Sequence, residues 1–307
     1  MDKLLVSAAP HIRSKATTSR IMLDVLIALV PAFVASIIFF GYRAALVTGV
    51  CVVSCVFFEW GFEKIVKRPN TIRDFSACIT GVLLAFCLPV TIPLWQAVFG
   101  SAVAIILVKQ LFGGLGKNYA NPAITARVVM FLAFSVSMTH WVSPIDGVTS
   151  ATPLVLMGKG NMEAIPGLLD LFLGRRGGSL GETSNLALLI GGIYLLIRRV
   201  ISWHAPVAFI AVVFGFSALL GGDPVYHIFT GGLFLGAIFM ATDYVTTPQS
   251  NLGRLIFGAG AAILTVMCRL YSNYPEGVAF SILLMNLLTP FINKLSEGKL
   301  PKSVTGG

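Results

Sequence analysis

The sequence predicts an all-α polytopic membrane protein of about ten transmembrane helices in two inverted five-helix halves, and three observations predict it. Of the 307 residues, 56% are hydrophobic and 11% are charged, where a soluble domain carries about a quarter charged residues. The apolar residues are gathered into unbroken runs of helix length, whereas a transmembrane barrel alternates apolar and polar positions. Segments of the two halves also resemble each other: TGVLLAFCLPVTIP from Thr80 and TGGLFLGAIFMATDYVTTP from Thr230, and ANPAITARVVMFL from Ala120 and YPEGVAFSILLMNLL from Tyr274. Such a composition excludes disordered, collagen-like and disulfide-scaffold chains and soluble dehydrogenase folds.

Runs bounded by charges, Gly or Pro place helices near 22–40, 43–61, 75–89, 93–112, 122–141, 184–199, 205–221, 226–242, 252–270 and 277–293. Lys and Arg in the connections set the orientation. Sixteen of the 22 fall on the side of the two termini and of the connections after the second, fourth, sixth and eighth runs. Five fall on the other side (Arg43, Lys159, Arg175, Arg176 and Arg269), and Arg127 lies inside a helix. The positive-inside rule therefore expects both termini in the cytoplasm, and the +9 net charge reports topology rather than nucleic-acid binding. The whole chain, 1–307, reads as one membrane domain with cytoplasmic tails at 1–20 and 294–307 and a long outer loop at 142–183. Residues 1–20 lack an apolar stretch, so no cleaved signal peptide is expected. The five cysteines sit in apolar runs without a Cys-x-x-Cys spacing, so neither a disulfide nor a metal site is expected.

An odd number of helices per half gives the halves opposite orientations, as in inverted-repeat transporters. The third and eighth helices are then equivalent, and both are interrupted, at LPVTIP (88–93) and ATDYVTTP (241–248). Interruptions leave backbone groups that must face protein, water or a ligand. Asp243 is accordingly a candidate for an ion pathway, against a plain helix-end role at headgroup level, while Asp24, Glu59 and Glu63 read as interfacial. GGLGKNYANP (113–122) permits positive φ and close backbone approach, and serves equally well as a tight turn before a helix. GSLGETS (178–184) opens the sixth helix with free N–H groups that attract anions. NMEAIPGLLDLFL (161–173) is apolar but too short to span, so it lies in the interface or re-enters.

DGVTSATPL (146–154) has a simple structural reading, with Thr152 as N-cap and Pro153 as first helical residue. The Thr152 hydroxyl can also carry a phosphoester, with Asp146 near it in sequence. This segment resembles the flavinylation motif of the family that holds the D subunit of the Rnf ferredoxin:NAD oxidoreductase complex and the B subunit of sodium-translocating NADH:quinone oxidoreductase. GGLGKNYANPA, GSLGETSNLALLIGGIYLL, MATDYVTTP and YPEGVAFSILLMN resemble blocks of the same family in the same order, so nearly all of the chain from about residue 20 is covered. The B subunit is longer at its amino end, so length favours the Rnf D type. Ser150 stands where the B subunit tends to have Gly, which leaves slightly less room for a modifying enzyme.

The resemblance implies FMN joined through its phosphate to Thr152, installed from FAD by a flavin transferase, with Asp146, Thr149, Ser150 and Ala151 in the remaining motif positions. It implies a flavin on the outer side of a bacterial inner membrane. It also implies a second, non-covalent flavin similar to the riboflavin of the B subunit, with Asn118 and Asn121 as candidate contacts. No side chain is expected to act as an acid–base catalyst, because the cofactor supplies the redox chemistry. The implied partners are the other Rnf-type subunits (A, B, C, E and G), the transferase and membrane lipid, with no nucleic acid. The coupling ion, sodium or proton, stays open. The alternatives are a B-subunit-like part of a sodium-pumping NADH:quinone oxidoreductase and a flavin-free secondary transporter with a midplane ion or solute site.

Overall fold

The computed structural model describes residues 17–143, 152–158, 165–272 and 276–296. It is helical throughout its long elements, and four helices are long and apolar enough to cross a bilayer: α1 (Thr18–Phe40), α2 (Tyr42–Val66), α13 (Asn251–Tyr271) and α14 (Val278–Ser296). At 1.5 Å per residue each matches a hydrocarbon core about 30 Å thick. Thr17 caps α1 by accepting from the Arg20 N–H, and Ser250 caps α13 by accepting from Gly253. The chain is a multi-pass membrane protein.

The other runs form shorter pieces. In the first half these are α3 (Ser76–Phe86), α4 (Leu94–Ala102), which continues as a π-helix over Val103–Gln110, α5 (Pro122–Ala133) and the single turn α6 (Ser135–Met138). The segment after residue 143 contributes α7 (Pro153–Gly158) and α8 (Leu168–Leu173). The second half holds α9 (Asn185–Ile197), α10 (His204–Leu219), α11 (Pro224–Phe229) and α12 (Leu233–Leu235), the last continuing as a π-helix over Gly236–Met240.

Differences from the sequence expectation follow from backbone chemistry. The eighth run, expected as one helix over 226–242, is broken at Thr230–Gly232, where two glycines take positive φ (65° and 64°). The fifth stops at Ala133, where Phe134 leaves helical geometry (φ −133°, ψ 47°). The third ends at Phe86, and carbonyls at and beyond its end are taken by the 178–184 segment: Leu180 donates to Leu88 (3.0 Å) and Gly181 to Phe86 (3.0 Å). These are protein partners for the broken span, which lipid could not supply.

α2 packs against α3 and α4, α10 against α13, and α13 against α14; α1 on α9 and α5 on α14 join the halves. A Cβ on Gly191 of α9 would run into the Ala28 carbonyl of α1, so glycine sets that close crossing. One apolar core runs through both halves, from Ala28 to Ile292.

Three charges assigned to connections are instead buried. Lys109 sits in the π segment after α4, and Arg176 and Arg269 lie inside the bundle. Glu59 and Glu63, expected at the interface, are buried as well, because each finds a polar partner within the fold.

Candidate functional site

Two buried polar centres lie within the bundle, one around Glu59 and Lys109 and one around Arg176 and Arg269. The first begins with charges the helices carry inward. Lys109 donates to Glu59 (2.6 Å) and to the Ser76 hydroxyl (2.6 Å), and Gln110 donates to the same Glu59 oxygen (2.9 Å). The side chains of the pair are 2% and 0% exposed. Thr71, before α3, donates to both Glu59 and Glu63.

Beside this network lies an interior pocket whose lining includes Ser76, Lys109, Asn118, Asn121, Phe239 and Asp243. Three of the residues singled out from sequence, Asn118, Asn121 and Asp243, are thus brought together from segments more than a hundred residues apart. Both π-helices reach this pocket, through Lys109 and Phe239, and π segments concentrate at functional sites. The preceding turn holds Gly113, Gly114 and Gly116 at positive φ.

The three polar residues have different duties. Asn121 is a helix cap: its side-chain oxygen accepts from the N–H groups of Ala123 (3.0 Å) and Ile124 (3.3 Å), and Pro122 follows as the first helical residue. Asn118 is buried, and its side-chain oxygen has no partner among the described residues. Asp243 accepts from the Val245 N–H (3.3 Å) and the Thr246 hydroxyl (3.1 Å) of its own turn. Asn286 of α14 was not singled out from sequence, yet it ties the two irregular segments together. With its amide oriented to match donors and acceptors, it accepts from the Asn121 N–H (3.1 Å) and donates to the Thr246 carbonyl (3.3 Å).

The second centre lies beside α7. Thr152 is buried and caps α7 by accepting from the Val155 N–H (3.4 Å), with Pro153 as the first helical residue. Two residues on, Leu154 packs against Gly231: a Cβ there would strike Leu154 and lie 3.0 Å from Arg269 Nη2. Arg269 donates to the carbonyls of His227, Thr230 (2.9 Å) and Gly231 (3.4 Å), and so satisfies the broken end of α11. Glu182 lies against Gly232, and its backbone carbonyl accepts from Arg176 (2.8 Å). Arg127 of α5 pairs with Glu276 just before α14 (2.7 Å).

Thr152 and the Asn118–Asn121–Asp243 group therefore belong to different centres. Asp146, Thr149, Ser150 and Ala151 lie outside the described residues. Sequence reasoning missed the Glu59–Lys109 pair and the arginine cluster. The available signal was an ionisable residue inside an apolar run, which requires a partner at the same depth.

The sequence matches the NQR2, RnfD, RnfE family over residues 5–300. The chain belongs to this family. It is 45% identical over 301 residues to the D subunit of the Na(+)-translocating ferredoxin:NAD(+) oxidoreductase complex of Acetobacterium woodii, covering 97% of this chain and 95% of that one. It is 41% identical to the D subunit of the proton-translocating ferredoxin:NAD(+) oxidoreductase complex of Clostridium ljungdahlii, covering 95% and 94%. It is 38% identical to the D subunit of the ion-translocating oxidoreductase complex of Stutzerimonas stutzeri, covering 92% and 91%. Both polar centres of this family member fall within the matched residues.

Proposed function

We propose that this chain is the D-type membrane subunit of an ion-translocating ferredoxin:NAD oxidoreductase, that it carries FMN esterified to Thr152, and that it passes single electrons within that complex. The observation that carries the class is full-length similarity to three D-type relatives, two of which are named for ferredoxin:NAD oxidoreductase complexes. Support for the attachment point is the Thr152 hydroxyl at the start of α7, whose Leu154 packs on Gly231 next to the buried Arg269, a residue type suited to a phosphate. Bound flavin would supply one-electron chemistry that no side chain here offers. The chain's own contribution is position, exclusion of water and a fixed electrostatic environment.

The interior pocket suits a second, non-covalent flavin, because it offers the unpartnered Asn118 oxygen, Asp243 and Lys109 around an apolar lining. Asn121 contributes less than the sequence suggested, since its oxygen is committed to the cap of α5. Asp243, which lines this pocket at the interrupted span, is the residue assigned to the ion pathway. The partners are the remaining Rnf-type subunits and a flavin transferase, and the site is the bacterial inner membrane with the covalent flavin on its outer side.

The test is a denaturing gel of the chain, purified from a transferase-competent host and viewed under ultraviolet light. A fluorescent band that disappears in Thr152→Ala is expected. A dark wild-type band overturns the flavin reading and leaves the flavin-free transporter.

A further inference from the structure

Among the described residues, the cluster beside α7 is not electrically closed. Among the described residues it holds three arginines (Arg127, Arg176 and Arg269) and two glutamates (Glu182 and Glu276), all at least nine-tenths buried except Glu276, whose side chain is 18% exposed. Arg127 and Glu276 neutralise each other across 2.7 Å. Arg176 and Arg269 are 3% and 5% exposed, and no carboxylate of the described residues comes within 4.0 Å of either guanidinium. The Nε groups of both lack a partner among the described residues. Glu182 does not close the gap: one oxygen accepts from the Ser179 N–H (3.2 Å), and the other is unpartnered.

A guanidinium taken out of water without a counter-charge costs several kcal/mol even after relaxation. Among the described residues the imbalance is one positive charge, and the cluster lies against the segment that begins with Thr152, through the contact of Leu154 and Arg269 with Gly231. A phosphodiester carries one negative charge, and its oxygens match the planar donor fork of arginine. We infer that Arg176 and Arg269 are the seat of the phosphodiester that joins flavin to Thr152, holding that link in place by closing the charge balance of the buried cluster. This rests on the flavin reading above and adds to it the residues that receive the phosphate. It assigns both arginines a positioning role and no part in electron transfer.

The test compares apparent melting temperatures, read from intrinsic tryptophan fluorescence, of the full chain made with and without the flavin transferase. Flavinylation is expected to raise the wild-type value by about 5 °C, since a buried charge gains its partner. In R176Q and R269Q that gain should fall below half. R175Q, at an exposed neighbouring arginine bound loosely to Asp170 (3.7 Å), should keep it. An equal gain in wild type, R176Q and R269Q overturns the proposal, and would mean that the guanidinium groups are balanced by something other than the phosphate, such as the Asp146 carboxylate. If a glutamine variant does not fold, the lysine variant is read instead: a gain between zero and the wild-type value supports the seat, and an undiminished gain overturns it. Absence of a fluorescent band from the transferase-treated wild type is a different result, and strikes the flavin reading rather than the arginines.

Discussion

The two buried charge centres were built by opposite rules. Around Glu59 and Lys109 the buried cation has its own carboxylate at 2.6 Å, Glu63 joins the network through Thr71, and Ser76, Gln110 and Thr71 take up much of the remaining hydrogen-bonding capacity, with Glu59 Oε2 left over. Around Arg176 and Arg269 cations outnumber anions, and Arg176 Nε, Glu182 Oε2 and Arg269 Nε all stand without partners among the described residues. A closed network fixes helices against one another. An open one leaves free energy to be recovered by a ligand, because each unsatisfied buried group costs more than a made hydrogen bond returns. The difference teaches that burial of charge by itself does not mark a binding site in this fold; incomplete compensation of charge does.

The closed network should break hardest. Lys109→Met leaves Glu59 buried and alone, and a loss of about 3–5 kcal/mol is expected, measured as a fall in melting temperature and in the yield of folded chain. The double variant Glu59→Met with Lys109→Met should recover most of that loss, since neither charge of the pair then remains to be desolvated. If the single variant melts like wild type, the network is not closed in the sense described.

Arg127→Met is the next in size. Its pair with Glu276 is less buried, with side chains 10% and 18% exposed, so about 2 kcal/mol is expected by the same measurement. A loss equal to that of Lys109→Met would show that the two centres do not differ in kind.

Asn118→Leu addresses the interior pocket without touching a charge. Retention of acid-released flavin should fall several-fold while the ultraviolet band from Thr152 is unchanged, and loss of both together would show that the two centres are not independent. Smallest of all is Arg198→Gln. Arg198 pairs with Asp24 (3.1 Å) at a helix end where half of its side chain meets solvent, and the buried Asp24 keeps the Tyr194 hydroxyl as a donor (3.0 Å) when Arg198 is lost. No resolvable shift in melting temperature is expected, and a clear drop would place that pair with the buried ones.

Much of the fold was legible in order and type. Each of the ten apolar runs holds helix among the described residues, and the breaks after Phe86 and Met240 fall at the Pro- and Thr-bearing stretches 88–93 and 241–248. Thr152 as N-cap and Pro153 as first helical residue were readable from local chemistry alone. The break at Thr230–Gly232 was not, because Gly in an apolar run marks a close crossing or a broken helix equally well until neighbours are known. Arg269 provides the deciding neighbour by taking the freed carbonyls.

Hydrophobic periodicity and loop charge depend on the residues themselves, so the sequence alone determined a helical membrane protein with a hydroxyl-bearing helix start in its longest connection. Pairing across the bundle depends on which segments meet. The tertiary structure alone decided that Lys109 answers Glu59 fifty residues away, that Asn118 and Asp243 line one pocket, and that among the described residues Arg176 and Arg269 keep a positive charge unanswered beside α7. At hydrocarbon depth a charge takes its meaning from its partner, and a partner is a property of the fold.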